Sequence, residues 1–450
     1  MTTFSIENFG CRATEADASA MRQELLARGM VLAGEHDSAD VVLLNTCTVT
    51  AAADSQAREA LRKIHRTNPS ARIIVTGCYA QRAPEELAAI EGVSWVVGNS
   101  HQSEIPRLVS EIASSEGISH KSAVADSNFI SLSRVEEGEM SLARGPAKIL
   151  TGDIFAQTVL RPGTTVPPGG DHTRPILKIQ DGCSNRCSYC VIPLVRGRSR
   201  SLPPDFVVKE VVKLVSAGAK EVVLSGINLG SYGRDLEPRE ELARLVPRIL
   251  AETEIERLRF SSIEPLDITE DFVTLAASSS RLAPHFHVPL QSGSDRILRA
   301  MRRWYRAAHY AERILIIRRV MPHAAIGADV IVGFPDESDE DFQTTAEFIK
   351  RLPFTYLHVF SFSPRPGTEA INSESFVPLQ VIRERARILR ALGQEKAAAF
   401  RASQAQQTFR ALTLCRGGAD WTECLTGNYL KVRLPGRHPA NEWHDVRMLG

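Results

Sequence analysis

After a short apolar run at residues 176–180, the chain reads Gln180-Asp181-Gly182-Cys183-Ser184-Asn185-Arg186-Cys187-Ser188-Tyr189-Cys190-Val191-Ile192-Pro193. The C-x3-C-x2-C spacing puts three thiolates on one loop at the end of a predicted strand. Structural zinc sites complete four protein ligands, and no fourth Cys or His follows within the usual spacing. Three thiolates suit a [4Fe–4S] cluster with one iron left open, a departure from the usual four-thiolate ligation. A zinc ion, or a closed cluster with a distant fourth ligand, is the alternative reading.

Working outward, 176–180 opens a βα series. Strands are expected at 176–180, 221–224, 258–261, 285–289, 326–332 and 357–362. Helical periodicity lies between them at 206–217, 239–251, 269–277, 295–321 and 340–352. Six βα steps suggest an incomplete version of the barrel that closes with eight, with its chemistry at the carboxyl ends of the strands. A long Arg- and Ala-rich helical pattern follows Pro378 to about residue 407, then β-like runs at 408–414 and 429–434.

The first stretch has the same alternation on a smaller scale. Strands at 3–7, 41–44, 73–75 and 95–97 flank helices at 15–28, 54–67 and 84–90, implying a small α/β domain with a parallel sheet. Cys11, Cys47 and Cys78 each fall just past a strand end. In open α/β sheets the carboxyl-end loops share one edge, so three cysteines far apart in sequence meet in space. Three buried thiols packing as small hydrophobes is the plainer reading of the same pattern. Between the two series the periodicity dissolves into a linker or insertion. The expected division is therefore 1–113, 114–172, 173–393 and 394–450.

Apolar residues make up 43% of the 450, enough for several cores, and the net charge of +1 neither favours nor excludes nucleic acid. No apolar stretch has membrane-spanning length, and the N-terminus lacks a signal-peptide pattern, so a cytoplasmic protein with no membrane partner is expected. Eight cysteines in such a chain read as ligands or reactive thiols rather than disulfides. Cys415 and Cys424 read as packing thiols.

The triple-cysteine loop resembles the signature of the radical S-adenosylmethionine (SAM) superfamily. That resemblance implies a [4Fe–4S] cluster on Cys183, Cys187 and Cys190 whose open iron binds the amino and carboxylate groups of SAM. Reduction then cleaves SAM to a 5′-deoxyadenosyl radical. Tyr189 matches the aromatic beside the adenine, although core packing would also explain it. Leu224-Ser225-Gly226, Ser261-Ser262-Ile263-Glu264-Pro265, His287-Val288-Pro289-Leu290-Gln291-Ser292-Gly293 and Asp329-Val330-Ile331-Val332-Gly333 resemble the following strand ends. By that resemblance Ser225, Gly226, Ser262, Glu264, Gln291 and Val332 are expected at the cofactor.

Phe9-Gly10-Cys11, Asn45-Thr46-Cys47 and Thr76-Gly77-Cys78-Tyr79-Ala80-Gln81 are similar to the N-terminal domain of the methylthiotransferases within that superfamily. There the three cysteines hold a second [4Fe–4S] cluster. The chain departs from the family at Arg12-Ala13-Thr14-Glu15, where an Asn is usual. Implied partners are tRNA, a flavodoxin- or ferredoxin-like electron donor and a sulfur source. Three branches compete: two modify adenosine beside the anticodon, carrying either a threonylcarbamoyl or an isopentenyl group, and the third modifies a ribosomal-protein aspartate. Gln180-Asp181-Gly182-Cys183, with Val195-Arg196-Gly197-Arg198-Ser199-Arg200-Ser201, looks most like the threonylcarbamoyladenosine branch. A non-catalytic iron–sulfur RNA-binding protein is the reading from a different class.

RNA contacts are expected in two places. No acidic residue lies between Gly182 and Pro204, while Arg186, Arg196, Arg198 and Arg200 do. The segment from Gln394 has eight Lys/Arg against five Asp/Glu, and Cys424 to Arg433 resembles a strand of the small TRAM β-barrel, naming Lys431 and Arg433. Arg302, Arg303 and Arg306 around Trp304 and Tyr305 read either as a further RNA patch or as a solvated basic helix face.

Overall fold

The computed structural model describes residues 2–34, 39–115, 147–160 and 173–448. The described chain forms two compact units. One runs to Thr158 and includes 191–198; the other holds 173–190 and 199–448.

The first unit is built on a six-stranded parallel sheet: β1 (Thr3–Asn8), β2 (Val31–Leu32), β3 (Val41–Thr46), β4 (Arg72–Gly77), β5 (Val93–Gly98) and β6 (Lys148–Leu150), in the order β2-β1-β3-β4-β5-β6. Every residue of the central Val-Val-Leu-Leu-Asn-Thr strand is buried, as expected when helices cover both faces. Val41 and Leu43 join one apolar cluster with Met21, Leu25 and Ile105, while Val42 and Leu44 join the other with Leu61 and Ile64. The flanking helix Ala51–Thr67 starts where the Thr50 side chain accepts from the Ala53 N–H. Strand order reverses at β1 and β3, the switch point where such sheets place their ligands.

β6, at 148–150, is a short ordered element inside the stretch expected as a linker or insertion. Three residues give no periodicity of their own. Their strand is fixed by parallel pairing of Trp95–Val97 with Lys148–Leu150, and Lys148 lies 5.0 Å over the Trp95 ring. Residues 116–146 and 161–172 of the same stretch lie outside the described residues.

The second unit contains β7 (Ile176–Asp181), β8 (Arg200–Ser201), β9 (Glu221–Gly226), β10 (Arg257–Phe260), β11 (His285–His287), β12 (Ala325–Val332) and β13 (Tyr356–Ser361). β7, β9 and β10 are parallel neighbours, as are β11, β12 and β13, and parallel bridges Leu258–Leu282 and Ser262–His287 connect the two sets. Six parallel strands with helices between them make the expected open barrel. β8 adds a short antiparallel edge to β7. Along β12, Ile326, Ala328, Val330 and Val332 enter the main core, leaving Gly327 and Asp329 to the other face.

One helix differs from expectation. Instead of a single helix over 295–321 there are two, Asp295–Ala300 and Ala307–Val320. Arg302 takes a left-handed φ of 55° between them, and the Asp295 carboxylate accepts the Ala307 N–H across the break. The C-terminal β reading stands, with one strand redrawn. After the helix Leu379–Ser403 come β14 (Thr408–Gly417), β15 (Trp421–Thr426), β16 (Lys431–Pro435) and β17 (Trp443–Arg447), an antiparallel sheet ordered β16-β15-β14-β17. Cys424 to Arg433 is a hairpin rather than one strand, turning where Tyr429 has φ 66°.

This sheet packs on the amino ends of the barrel strands. Arg257 donates to the carbonyls of Leu425 and Arg410, and Arg259 to those of Thr426 and Gly427. Both arginines pair with Glu221, which is wholly buried. Burial alone would raise the Glu221 carboxyl, but Arg259, Arg174 and Arg257 together outweigh it and bring it down to about 2. The carboxyl ends of the strands are thus left to the cysteine loop.

Candidate active site: two cysteine triads

In the first unit the order β1-β3-β4 brings the loops of Cys11, Cys47 and Cys78 side by side. Cys11 caps the helix Arg12–Ala27, Cys47 follows β3, and Cys78 opens the short helix Cys78–Arg82. A Cβ on Gly10 would lie 2.8 Å from the Cys47 Cβ, so glycine permits that approach. Gly77 has φ 98°, and a Cβ there would meet the Thr46 carbonyl at 2.3 Å. Asn45 Nδ2 donates to Asn8 Oδ1 and to the Thr14 carbonyl, and Thr14 Oγ1 donates to the Cys11 carbonyl. Thr14 therefore ties down the loop in which the family's usual Asn is replaced.

Cys47 and Cys78 are 3% and 1% exposed, and Cys11 is open to solvent. Burial, then the neighbouring Cys78 and Cys11, push the Cys47 thiol up to about 12. Burial raises Cys78 too, against the pull of Arg196. Arg196 is itself buried, at 2% exposure. Its Nε donates to Cys78 Sγ at 3.2 Å and its Nη2 to Asp17 at 2.8 Å. Asn99 Nδ2 reaches Cys78 Sγ at 3.6 Å and the Val195 carbonyl at 2.8 Å.

In the second unit Cys183, Cys187 and Cys190 share the loop after β7, each half-buried. The Gln180 carboxamide knots this loop. Its Nε2 donates to the Asp181 and Gly182 carbonyls and to Ser199 Oγ, while its Oε1 accepts the Asn228 N–H. Ser188 Oγ donates to the Ala300 carbonyl at 2.7 Å. Arg303 Nη1 donates to Cys187 Sγ at 3.3 Å, and Nη2 pairs with Glu264. Asn228 Nδ2 lies 3.9 Å from Cys183 Sγ.

Neither triad holds its three sulfurs as close together as a single bound ion would draw them. Thiolates on one zinc ion sit about 3.8 Å apart. Among the described residues only His287, Asp329 and His358 bring three such ligand atoms within 4.8 Å of one another. That set is already met by hydrogen bonds, since Asp329 Oδ1 accepts from His287 at 2.9 Å and from His358 at 3.2 Å. Burial works against the Asp329 charge, but the two imidazoles prevail and hold its carboxyl well below the usual range. For SAM, the orphaned polar atoms are informative. Ser225 Oγ, Ser261 Oγ and Asn228 Oδ1 are buried near the carboxyl ends of β9 and β10 with no partner among the described residues.

Comparison with known proteins agrees with both halves. Residues 3–98 match the family described as Uncharacterized protein family UPF0004, and residues 177–349 match the Radical SAM superfamily. The chain is 36% identical over 432 residues to the threonylcarbamoyladenosine tRNA methylthiotransferase MtaB of Aquifex aeolicus, covering 96% of each chain. It is 33% identical to the protein of that name from Bacillus subtilis, covering 100% of this chain and 97% of that one. The chain belongs to the radical SAM methylthiotransferase family. A further relative, the tRNA-2-methylthio-N(6)-dimethylallyladenosine synthase of Syntrophobacter fumaroxidans, is 36% identical over 85% of this chain and 78% of its own. Among solved structures, the radical SAM methyltransferase TsrM from Kitasatospora setae superposes with TM-score 0.57 over 82% of this chain and 77% of its own, at 17% identity, a likeness of fold.

For this methylthiotransferase, the expected SAM residues fall along consecutive strand ends. Ser225 and Gly226 close β9; Ser262 bridges to His287 beyond β10; Gln291, with φ 65°, bridges to Val330; Val332 ends β12. Glu264 is occupied by Arg303, and burial pushes its carboxyl up against that pairing. Tyr189 packs edge-on to Phe334 within a small apolar cluster containing Ile297 and Met301.

The expected RNA residues divide. Arg198 is exposed, but Arg196 and Arg200 are buried and so not presented to phosphates. Arg303 and Tyr305 are buried as well, whereas Trp304 is 68% exposed. Lys431 is exposed and pairs with Glu423; Arg433 is also exposed and lies 4.5 Å over the Trp421 ring. Cys424 packs with Ala411 and Val446, as a packing thiol should, but Cys415 is exposed on β14 and is not one. Sequence reasoning missed Asp17, Asn99, Asn228 and the true place of Arg303. Single polar residues outside any motif gave no signal, and Arg303 was hidden in a basic run.

Proposed function

We propose that this enzyme adds a methylthio group to C2 of N6-threonylcarbamoyladenosine in tRNA, in the cytoplasm, using two [4Fe–4S] clusters. The observation that carries the substrate is end-to-end similarity to proteins named for it, 96% of both chains with the Aquifex protein, against 78% of the dimethylallyladenosine relative. Cys183, Cys187 and Cys190 would hold one cluster and Cys11, Cys47 and Cys78 the other.

Reduced cluster and bound SAM together supply a radical able to take hydrogen from an inert aromatic carbon, which no side-chain base can deprotonate. The chain's own residues prepare for this. Gln180 and Ser188 fix the cysteine loop, Arg303 directs an N–H at Cys187, and Ser225, Ser262 and Gln291 offer polar groups at the strand ends. A threonylcarbamoyl group brings a carboxylate, and Arg198, exposed in the arginine run as Arg186 is, is the candidate guanidinium to meet it. A flavodoxin- or ferredoxin-like donor would provide electrons, and a separate source the sulfur.

The test supplies the reconstituted enzyme with tRNAs carrying either modification, plus SAM, sulfide and reductant, and reads nucleosides by mass spectrometry. Methylthiolation should dominate on threonylcarbamoyladenosine. Product only on isopentenyladenosine would overturn the substrate while leaving the radical chemistry in place.

A further inference from the structure

Arg196 stands six residues after Cys190 in sequence, yet it belongs to the first compact unit and is one of the largest fully buried side chains in the molecule. A lone buried guanidinium is costly, and its partners show how the cost is met. Asp17, also buried, takes one arm, and the Cys78 sulfur takes Nε. The backbone leaves Arg196 little choice of position. The helix Ile192–Arg196 ends at Gly197, φ 73°, where a Cβ would meet the Ile154 carbonyl at 2.7 Å. Val191 and Val195 pack against Cys78, and Asn99 ties the Val195 carbonyl to the same sulfur. None of this suits an RNA contact.

We infer that Arg196, clamped by Asp17, is a positioning residue that orients the Cys78 sulfur and sets the reduction potential of the cluster held by Cys11, Cys47 and Cys78. The inference rests on the reading that those cysteines bind a cluster. N–H donors and positive charge beside cluster sulfurs favour the reduced, more negative state and so raise the potential. Exclusion of water strengthens both effects. Asp17 has two opposed consequences: it aims the guanidinium, and its charge offsets part of the guanidinium's.

The experiment is an EPR-monitored redox titration of anaerobically reconstituted protein, with iron counted in every variant. Arg196→Gln removes the cation and should move the first-unit cluster to a more negative potential. Asp17→Asn leaves the cation uncompensated and should move it to a less negative one. Arg196→Lys keeps the charge and should fall between Arg196→Gln and wild type. Arg303→Gln is the control and should leave this cluster's potential alone. Opposite signs separate tuning from a structural role, which would shift both variants alike or strip iron from both. If Arg196→Gln loses its iron, the Asp17→Asn and Arg196→Lys shifts decide. Two clusters with unchanged or same-sign shifts would overturn the inference alone. About four irons in wild type, unchanged in Cys47→Ala, would overturn the cluster reading and the inference together.

Discussion

Cys183, Cys187 and Cys190 occupy one eight-residue loop, whereas Cys11, Cys47 and Cys78 arrive from three strands separated by 36 and 31 residues. The loop triad is half-buried; Gln180 knots it from within, and Ser188 ties it to the Ala300 carbonyl. The sheet triad is assembled by a whole parallel sheet, with two of its thiols sealed from water. Both nevertheless share one device. A buried arginine gripped by a carboxylate donates to a single cysteine sulfur: Arg303 with Glu264 at Cys187, Arg196 with Asp17 at Cys78. Two different routes to a triad therefore end in the same local electrostatics, which points to the needs of a thiolate-bound group rather than to fold history.

The largest effects should come from emptying one triad at a time. Changing Cys183, Cys187 and Cys190 to Ala should lower iron from about eight to about four per chain and abolish SAM cleavage. The same change at Cys11, Cys47 and Cys78 should lower iron equally, keep SAM cleavage and abolish methylthiolation. Iron analysis and 5′-deoxyadenosine yield measure both. Equal loss of SAM cleavage from both sets, in folded protein, would erase the division of labour.

Next in size is Arg303→Gln. It leaves the half-buried Glu264 carboxylate without its cation. SAM cleavage should drop by about tenfold or more, with both clusters still present by iron count. Arg196→Gln should spare SAM cleavage, so the two arginines are told apart by which reaction each disturbs.

The contrast also explains what the sequence could reveal. The loop triad is legible because its spacing is local, and the barrel strands because each alternates between core and opposite face. The sheet triad is legible only through strand ends, since a parallel sheet converts sequence-distant loops into neighbours. The arginine clamps are not legible. Arg196 and Arg303 each sit in a basic run whose average reads as a nucleic-acid surface, and burial is decided one side chain at a time by tertiary packing. β6 and the break at Arg302 escape for a related reason: three paired residues, or one left-handed residue, carry no period.

A third buried arginine–carboxylate set, Glu221 with Arg257 and Arg259, has no sulfur among its partners and shows what such pairing does by itself. Glu221 is held at about 2, below its ordinary 4.5, so it favours the folded state fully above 4.5. That contribution is lost as pH falls through 4.5 toward 2. Glu221→Gln should lower the denaturant midpoint at pH 7, followed by Trp443 fluorescence, by an amount matching about 3 kcal/mol. The gap from wild type should narrow below pH 4.5. Neither cluster potential should move at neutral pH, because the set holds the C-terminal sheet rather than a cysteine.

The smallest effects belong to the outward cations that neither triad uses. Lys431 and Arg433 lie on β16, an edge strand of the C-terminal sheet, and Arg433 stacks over Trp421. Lysines and arginines that meet phosphates act modestly and nearly independently, each releasing about one counterion on binding. Lys431→Ala and Arg433→Ala should each weaken tRNA binding a few-fold and reduce the salt slope by about 1. Iron content and SAM cleavage without tRNA should stay at wild-type values. Arg196→Gln should do the reverse, changing a cluster potential while leaving the tRNA dissociation constant and its salt slope untouched, because a side chain 2% exposed meets no phosphate. Filter binding across a salt series decides the matter. A reduced slope in Arg196→Gln would return that residue to the RNA surface and leave Arg303 as the one arginine committed to a cysteine.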